Sequence, residues 1–188
     1  ALAPGERFGT PAFLGGFTRG GFGEMTRLIH RYSAARIYPR NMARRVMPVV
    51  FNTYSCIRGA EVTERNVLEL IPKAAEAGCE LFIIDAGWQR NMGDWTIHPE
   101  KFPGGFRKII STVRAHGMEF GLWVEFERVD SSSRIYREHP EWRVDDAHYS
   151  LLNFARRDVL DYIHGVLRKL LAENDIVYLK MDLNRYLN

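Results

Sequence analysis

The chain alternates between short apolar runs and longer amphipathic stretches, and few folds accept that alternation. Four apolar runs occur at residues 46–52, 81–88, 119–126 and 176–182, with the sequences VMPVVFN, LFIIDAGW, EFGLWVEF and IVYLKMD. Their β-branched and aromatic residues are typical of strands, and stretches of helical period separate them. Strands that alternate with helices form parallel sheets, so the pattern predicts an α/β fold built from β/α units.

Helix signals mark the stretches between these runs. Thr63 can cap the first helix, and Gly78 and Gly117 follow the last periodic residues of the first and second helices. A third helix is predicted within residues 156–174, where the apolar residues recur with helical period. The connection between the third strand and this helix is polar, and no strand is predicted in it.

Two regions of the chain differ in pattern. Residues 1–45 are rich in glycine and aromatic residues and then briefly helical, which predicts the end of a preceding domain followed by a linking helix. Residues 46–188 carry the repeated β/α pattern. A chain of 188 residues with 46% hydrophobic content can bury a substantial core.

Composition argues against several function classes. The net charge is only +3, and the lysines and arginines are scattered, which disfavours a nucleic-acid partner. No run of 18 apolar residues occurs, so no membrane span is expected. The histidines lack metal-site spacing and no phosphate-binding glycine loop is present, so we expect neither a metal nor a cofactor. Cys56 and Cys79 fall at opposite ends of a β/α unit, which favours reduced thiols and a cytoplasmic location.

Polar side chains fall at the carboxyl ends of all four predicted strands. They are Asn52 and Tyr54 after the first strand, Asp85 in the second, Glu125 in the third, and Lys180 and Asp182 in the fourth. In β/α folds that rim carries the substrate site, whereas the opposite rim mostly serves stability. For Asp85 a second interpretation stays open, because an aspartate after a strand can also cap the next helix.

The last strand, in YLKMDLNR, needs a particular explanation. Side chains alternate between the faces of a strand, so Lys180, Asp182 and Asn184 share one face. A buried ion pair costs desolvation and is often no better than apolar residues of the same volume, which favours a functional role over a purely structural one.

Carboxylates, a lysine and aromatic rings at one rim suit carbohydrate chemistry. A retaining glycosidase uses one carboxylate as nucleophile and a second carboxyl group as acid and then base. Lys180 would keep the neighbouring Asp182 ionised, and Trp123 could stack on a sugar ring. Trp88 and Trp95 lie in a glycine-containing loop, where we expect exposed rings.

Five blocks resemble a known family when taken together and in order. They are LFIIDAGW, GDWTIHPEKFPGGF, GLWVEFERV, YREHPEW and YLKMDLNR. In this order and spacing the chain resembles the melibiase-type α-galactosidases of glycoside hydrolase family thirty-six, from about residue 46 to the last residue. The resemblance implies a (β/α)8 TIM barrel of which this chain supplies about the first four units, preceded by a linker from an N-terminal β-sandwich.

The resemblance also implies roles for the fourth-strand motif. The family's lysine, x, aspartate, x, asparagine pattern is matched by Lys180, Asp182 and Asn184. Asp182 is thereby identified as the nucleophile, and Lys180 and Asn184 as substrate-binding residues. The acid/base aspartate of the family lies well beyond this strand, so we expect it beyond residue 188 and expect a half-barrel alone to be inactive.

The second and third strands match the family with two departures. Asp85 and Trp88 match its Asp-Asp-Gly-Trp motif, which implies that both bind substrate, but Ala86 stands where the second aspartate is usual. A missing carboxylate removes one hydroxyl contact, so N-acetylgalactosamine or galactosamine joins galactose as a candidate sugar. Trp123 and Glu125 match the third-strand block, in which Phe126 replaces a proline, and the match implies that both bind substrate, with Trp123 as the platform for the sugar ring.

Three hypotheses about the function stay open at this point. The first is a retaining α-galactosidase-like hydrolase acting on terminal α-linked galactose or a modified galactose. The second is an incomplete half-barrel that binds sugar or associates with itself, because an open parallel sheet exposes two edges. The third is a nucleic-acid or phosphate binder that uses the basic balance. The expected partners are an α-galactoside or related oligosaccharide and further copies of the chain in a homo-oligomer.

Overall fold

The computed structural model describes residues 3–38, 47–145 and 149–184. The chain forms two compact units, Ala1–Met47 and Pro48–Asn188. The first contains helix α1 (Gly21–Tyr32) and a π-helical turn at Ser33–Ile37, and neither element buries a side chain. The brief helix expected in this region is therefore present. The assignment of residues 1–45 to the end of a preceding domain stays a prediction.

The second unit is built on a four-stranded parallel sheet. Numbered along the chain, the strands are β1 (Val50–Asn52), β2 (Leu81–Ile84), β3 (Glu119–Val124), β4 (Arg128–Val129), β5 (Arg143–Asp145), β6 (Ser150–Leu152) and β7 (Tyr178–Met181). The parallel sheet has the order β1-β2-β3-β7, and each neighbouring pair is parallel. The predicted α/β class with a parallel sheet is confirmed.

Helices connect the successive strands of this sheet. They are α2 (Glu64–Glu76), α3 (Arg107–Ala115), the short α4 (Arg134–Glu138) and α5 (Arg157–Glu173). The predicted punctuation holds, because Thr63 Oγ1 accepts from the Asn66 amide at 3.3 Å. Gly78 and Gly117 adopt φ of +80° and +75°, a conformation that favours glycine after a helix.

The polar connection after β3 contains structure that the sequence pattern did not predict. Strands β4, β6 and β5 form a small antiparallel sheet within it. Each strand is only two or three residues long, so the alternation of apolar and polar residues is too short to recognise. Val129 and Leu152 are buried within the hydrophobic core and thereby fix this sheet to the unit.

The core lies between the parallel sheet and its helices. All four residues of β2 are buried, as expected for a strand covered on both faces. Helices α2 and α3 each contribute three buried apolar residues, among them Ile71 and Ile109. Within the described ranges, no helix is both long and apolar enough to cross a membrane.

The expectation that Trp88 and Trp95 are exposed is wrong. Their exposed fractions are 0% and 2%. The loop after β2 folds back on itself, with the His98 amide donating to the Trp88 carbonyl at 2.9 Å, and this turns both rings inward. The two rings lie 6.1 Å apart, and Trp95 also packs against Phe126 at 5.3 Å. Burial and packing of the two large aromatic rings stabilise this arrangement more than exposure of the rings to solvent would, even though the loop contains glycines.

Candidate functional site at the carboxyl ends of the strands

A cleft of about 450 Å³ opens at the carboxyl ends of the parallel strands. It is lined by Tyr54, Asp85, Ala86, Met92, Trp123, Glu125, Arg128, Lys180, Asp182 and Asn184. Most of the residues that the sequence placed at this rim are thus brought together. A larger depression of about 720 Å³ lies along α5. The acidic residue that α5 contributes to this depression, Asp161, is exposed and paired with Arg157. The depression is therefore less suited to acid–base or nucleophilic catalysis than the cleft.

Asp85 is the buried anchor of the cleft. Its exposed fraction is 3%, and its Oδ2 accepts from Asn52 Nδ2 at 2.7 Å and from Lys180 Nζ at 2.8 Å. Its Oδ1 accepts from the Ala86 amide at 2.8 Å. A buried carboxylate is tolerated when it is paired and hydrogen-bonded in this way. The alternative that Asp85 caps the next helix is wrong, because α3 begins 22 residues later with Phe106 at its N-cap.

Asp182 lies on the last strand's polar side and is held as a carboxylate. Trp123 Nε1 donates to its Oδ2 at 2.9 Å, and the Leu183 amide donates to its Oδ1 at 3.1 Å. The indole hydrogen bond is the largest cause that lowers the pKa of Asp182. The charge of Lys180 lowers it in the same direction but contributes less, since that ammonium pairs directly with Asp85. The lysine therefore stabilises the cleft mainly through Asp85, which differs from the expectation that it acts chiefly on Asp182.

Glu125, at the end of β3, forms a hydrogen bond to the segment that follows β7. Its exposed fraction is 3%, and its Oε1 accepts from the backbone amide of Asn184 at 2.8 Å. The Asp182 amide in turn donates to the Val124 carbonyl at 2.9 Å. These two bonds fix the backbone on both sides of Asp182.

A layer of tryptophan rings supports the cleft from below. Trp123 is 2% exposed, and its carbonyl accepts from Trp88 Nε1 at 2.8 Å. Trp95 packs at 6.2 Å from Trp123 and adopts φ of +54°, which is rare for a residue with a large side chain. Trp88 does not line the cleft. In this structure it supports the cleft indirectly, through its hydrogen bond to the Trp123 carbonyl. The roles of Trp123 as a sugar platform and Trp88 as a sugar contact stay predictions.

Two residues that line the cleft were missed by the sequence analysis. Met92 comes from the loop after β2, and Arg128 begins β4. Arg128 lies in the GLWVEFERV block, but no strand was predicted there, so its side-chain direction had no basis in the pattern. Over the described part of the chain, no group of three or more His, Cys, Asp or Glu residues could hold a metal ion.

Comparisons with known proteins agree with this geometry. The melibiase family model matches residues 7–188. The chain is 31% identical to α-galactosidase AgaA of Geobacillus stearothermophilus over 99% of its length, and 32% identical to an α-galactosidase of Escherichia coli over 100%. The crystal structure of the GH36 α-galactosidase AgaB of G. stearothermophilus superposes with a TM-score of 0.79 at 31% identity and covers 87% of this chain.

A ligand complex is also among the similar structures. An AgaA variant of G. stearothermophilus in complex with raffinose superposes with a TM-score of 0.77 at 30% identity over 87% of this chain. The chain spans only 27% of AgaA and 28% of the E. coli relative, and 25% of each of the two crystallised chains. With nearly its whole length matched by the family model, the chain belongs to the melibiase family.

Proposed function

We propose that the polypeptide containing this chain is a retaining α-galactosidase-like glycoside hydrolase in which Asp182 is the nucleophile. The observation that carries the proposal is the position of the Asp182 carboxyl group, which is hydrogen-bonded by Trp123 and Leu183 and lies in one cleft with the Asp85–Lys180 pair. The named relatives of the chain are α-galactosidases, which supports the same reaction class. Galactose or a modified galactose at the non-reducing end of an α-linked oligosaccharide is the proposed substrate.

The chemistry proposed for the cleft is a double displacement. A carboxylate oxygen of Asp182 forms a bond to the anomeric carbon while the bond to the leaving oxygen breaks and that oxygen takes a proton. Water then attacks the same carbon and releases Asp182 with net retention. The hydrogen bonds from Trp123 and Leu183 hold the carboxylate in one orientation for the first step.

Sugar binding is proposed for the polar groups around the nucleophile. Lys180 uses one N–H group on Asp85, and an ammonium carries three, so it retains donors for sugar hydroxyls. Tyr54 and Asn184 line the same cleft and supply further polar contacts. Asn52 acts through its hydrogen bond to Asp85.

The proposal places this sheet within a larger barrel. The order β1-β2-β3-β7, with all neighbours parallel, supports this proposal, because successive β/α units of a (β/α)8 barrel place their parallel strands side by side. We assign the general acid to a residue beyond residue 188, a group whose contribution is typically about a hundred- to ten-thousandfold. The preceding β-sandwich and the homo-oligomer are likewise proposals. Apolar side chains such as Val50 and Met181 are exposed on the outer strands of the sheet. Their exposure supports the proposal that more protein, from the rest of the barrel or from another subunit, covers these strands.

A cytoplasmic location is proposed from the cysteines alone. Cys56 and Cys79 are both unpaired in the structure, and Cys56 is exposed. Exposed unpaired thiols are more common in reducing compartments.

The stereochemistry of hydrolysis tests this function. The complete polypeptide is incubated with 4-nitrophenyl α-galactoside and the first sugar released is followed by NMR. A double displacement through Asp182 predicts the α-anomer first, with the β-anomer appearing only through mutarotation. Release of the β-anomer first would contradict the proposed mechanism, and absence of hydrolysis would contradict the proposed activity.

Replacement of Trp123 by phenylalanine is expected to change the pH dependence of kcat/KM. The change removes the indole hydrogen bond that is the main cause of the lowered pKa of Asp182, so this pKa rises. Because the nucleophile must be ionised, the acid limb of the profile moves to higher pH and the loss is largest on the acidic side.

Trp142→Phe is the matched control for this measurement. Trp142 Nε1 donates to Asp158 Oδ2 at 3.0 Å, so this variant also breaks an indole–carboxylate bond, but outside the cleft. Its acid limb should coincide with that of the unmodified enzyme. Equal displacement of the acid limb in both variants would show that the effect is not specific to Asp182.

A further inference from the structure

Glu125 is a cleft residue whose carboxylate is bonded to the protein's own backbone. Its exposed fraction is only 3%, and its Oε1 accepts from the backbone amide of Asn184 at 2.8 Å. Although it lines the cleft, little of its surface is open to a sugar. These observations point to a role other than the substrate binding that the family resemblance implies.

The backbone amide of Asn184 lies beyond the parallel ladder. The ladder between β3 and β7 ends at the pair Val124 and Met181. The Asp182 amide still donates to the Val124 carbonyl, at 2.9 Å. Two residues further along the chain, the Glu125 side chain supplies the acceptor. A side chain thus continues the attachment of the Asp182 segment to β3 after the ladder has ended.

Asn184 connects this attachment to the Asp182 carboxylate. Its side chain forms a hydrogen bond to that carboxylate, and this bond is among the causes that lower the pKa of Asp182. The indole N–H of Trp123 donates to the same carboxylate at 2.9 Å. Hydrogen bonds from two separate side chains hold a functional group in one orientation better than either bond alone. The second of these bonds depends on where the Asn184 backbone is held.

Glu125 offers an acceptor oxygen and not a partner for a cation. The two cations that line the cleft pair elsewhere, Lys180 with Asp85 and Arg128 with Asp130. A neutral glutamine side chain has the same length and also presents an acceptor oxygen. Replacement by glutamine therefore preserves what Glu125 contributes, whereas an apolar side chain of similar size removes it.

We propose that Glu125 is a positioning residue for the nucleophile, because it holds the Asn184 backbone where the Asn184 side chain can orient the Asp182 carboxylate. This inference rests on the proposed glycosidase function. It assigns Glu125 to the geometry of the chemical step and not to sugar binding. Misplacement of a reacting group by about 1 Å can cost about a hundredfold in rate.

Replacements of Glu125 test this role by separating kcat from KM in the complete polypeptide. Glu125→Met removes the acceptor and should lower kcat for 4-nitrophenyl α-galactoside by about ten- to a hundredfold, with little change in KM. Glu125→Gln should recover most of the lost kcat. An increase in KM without loss of kcat, or an equal loss of kcat in Glu125→Met and Glu125→Gln, would overturn the inference.

Glu80→Met is the matched control for these replacements. Glu80 Oε2 also accepts from a backbone amide at 2.8 Å, that of Val49, but at the amino ends of β1 and β2. This variant breaks the same kind of bond at the opposite rim of the sheet, so its kcat should equal that of the unmodified enzyme. A loss of kcat in Glu80→Met equal to that in Glu125→Met would show that the effect is not specific to the cleft.

A double replacement shows whether Glu125 acts through Asn184. In Asn184→Ala the backbone amide remains, but the side chain that it positions is gone. Adding Glu125→Met to this variant should therefore cause little further loss of kcat, since residues that act through one another are not additive. A further loss as large as that of Glu125→Met alone would contradict the proposed route.

Hydrogen exchange separates this inference from the proposed function. Mass spectrometry of the peptide that contains Asn184 should find faster exchange of its amide in Glu125→Met, and unchanged exchange in Glu125→Gln and Glu80→Met. Unchanged exchange in Glu125→Met would overturn the inference, whether or not the galactoside is hydrolysed. The expected exchange pattern without hydrolysis by the unmodified polypeptide would support the hold of Glu125 on Asn184 and reject the hydrolase function. Hydrolysis with an unaltered kcat in Glu125→Met would leave the hydrolase function standing and reject the role of Glu125.

Discussion

Asp182→Ala is expected to lower kcat for aryl α-glycoside hydrolysis by on the order of 10⁴-fold or more, the scale of loss seen when a nucleophile is removed. The reason is that no covalent glycosyl-enzyme can form without the carboxylate that Trp123 and Leu183 orient in the cleft. Steady-state kinetics of the complete polypeptide measures the effect, and mass spectrometry with a 2-fluoro glycoside should find the adduct on the peptide that contains Asp182.

An aspartate outside the cleft provides the control. Asp161 lies on α5 with its side chain 59% exposed and forms a surface pair with Arg157. Exposed pairs of this kind contribute little to stability, so Asp161→Asn should retain nearly full turnover. Unchanged turnover in Asp182→Ala would remove Asp182 from the mechanism, and so would an adduct on another peptide.

Trp88→Ala is expected to lower the free energy of unfolding by about 3–5 kcal/mol, the range for emptying a buried large aromatic site. Trp88 is fully buried, packs 5.7 Å from Phe106, and donates to the Trp123 carbonyl. The cavity would also loosen the support of Trp123, so kcat/KM should fall as well. Urea unfolding followed by circular dichroism measures the first effect.

Two further replacements show whether Trp88 acts by support or by contact with the sugar. Leu171→Ala removes an exposed leucine from α5 and should change stability by no more than about 0.5 kcal/mol. Trp88→Phe retains most of the aromatic packing and should recover much of the stability. A Trp88→Ala protein with normal stability and weakened sugar binding would instead establish the direct contact that the family resemblance implied.

The parallel sheet was predictable because its strands carry complete local signals. The run LFII is apolar at every position, as a strand covered on both faces must be, and β2 occupies Leu81–Ile84. The grouping of Asp85, Glu125 and Asp182 followed from the same reasoning, because parallel strands deliver their carboxyl ends to one rim. Strands β2, β3 and β7 end earlier than predicted, since Asp85, Glu125 and Asp182 at their carboxyl ends lie outside the sheet, whereas β1 ends at Asn52 as predicted.

Contacts between distant segments were not predictable in the same way. The burial of Trp88 and Trp95 depends on how the loop after β2 meets Trp123 and Phe126, and no local period reports that meeting. Arg128 reaches the cleft from a two-residue strand, which is shorter than any recognisable alternation. The ammonium of Lys180 pairs with Asp85, on another strand, and not with its sequence neighbour Asp182. That pairing depends on distances in the folded structure, which the pattern of the sequence does not give.

The hydrogen bonds of Asp85 have a consequence for the order of folding. This carboxylate joins Asn52, 33 positions before it, to Lys180, 95 positions after it. Loop closure over such separations is slow compared with the formation of local helices, so the binding residues assemble late. During synthesis on the ribosome, the first three strands emerge well before the lysine that neutralises Asp85. Until β7 docks, the nascent chain carries that acidic group without its cation, which makes docking of the last strand the step that completes the cleft.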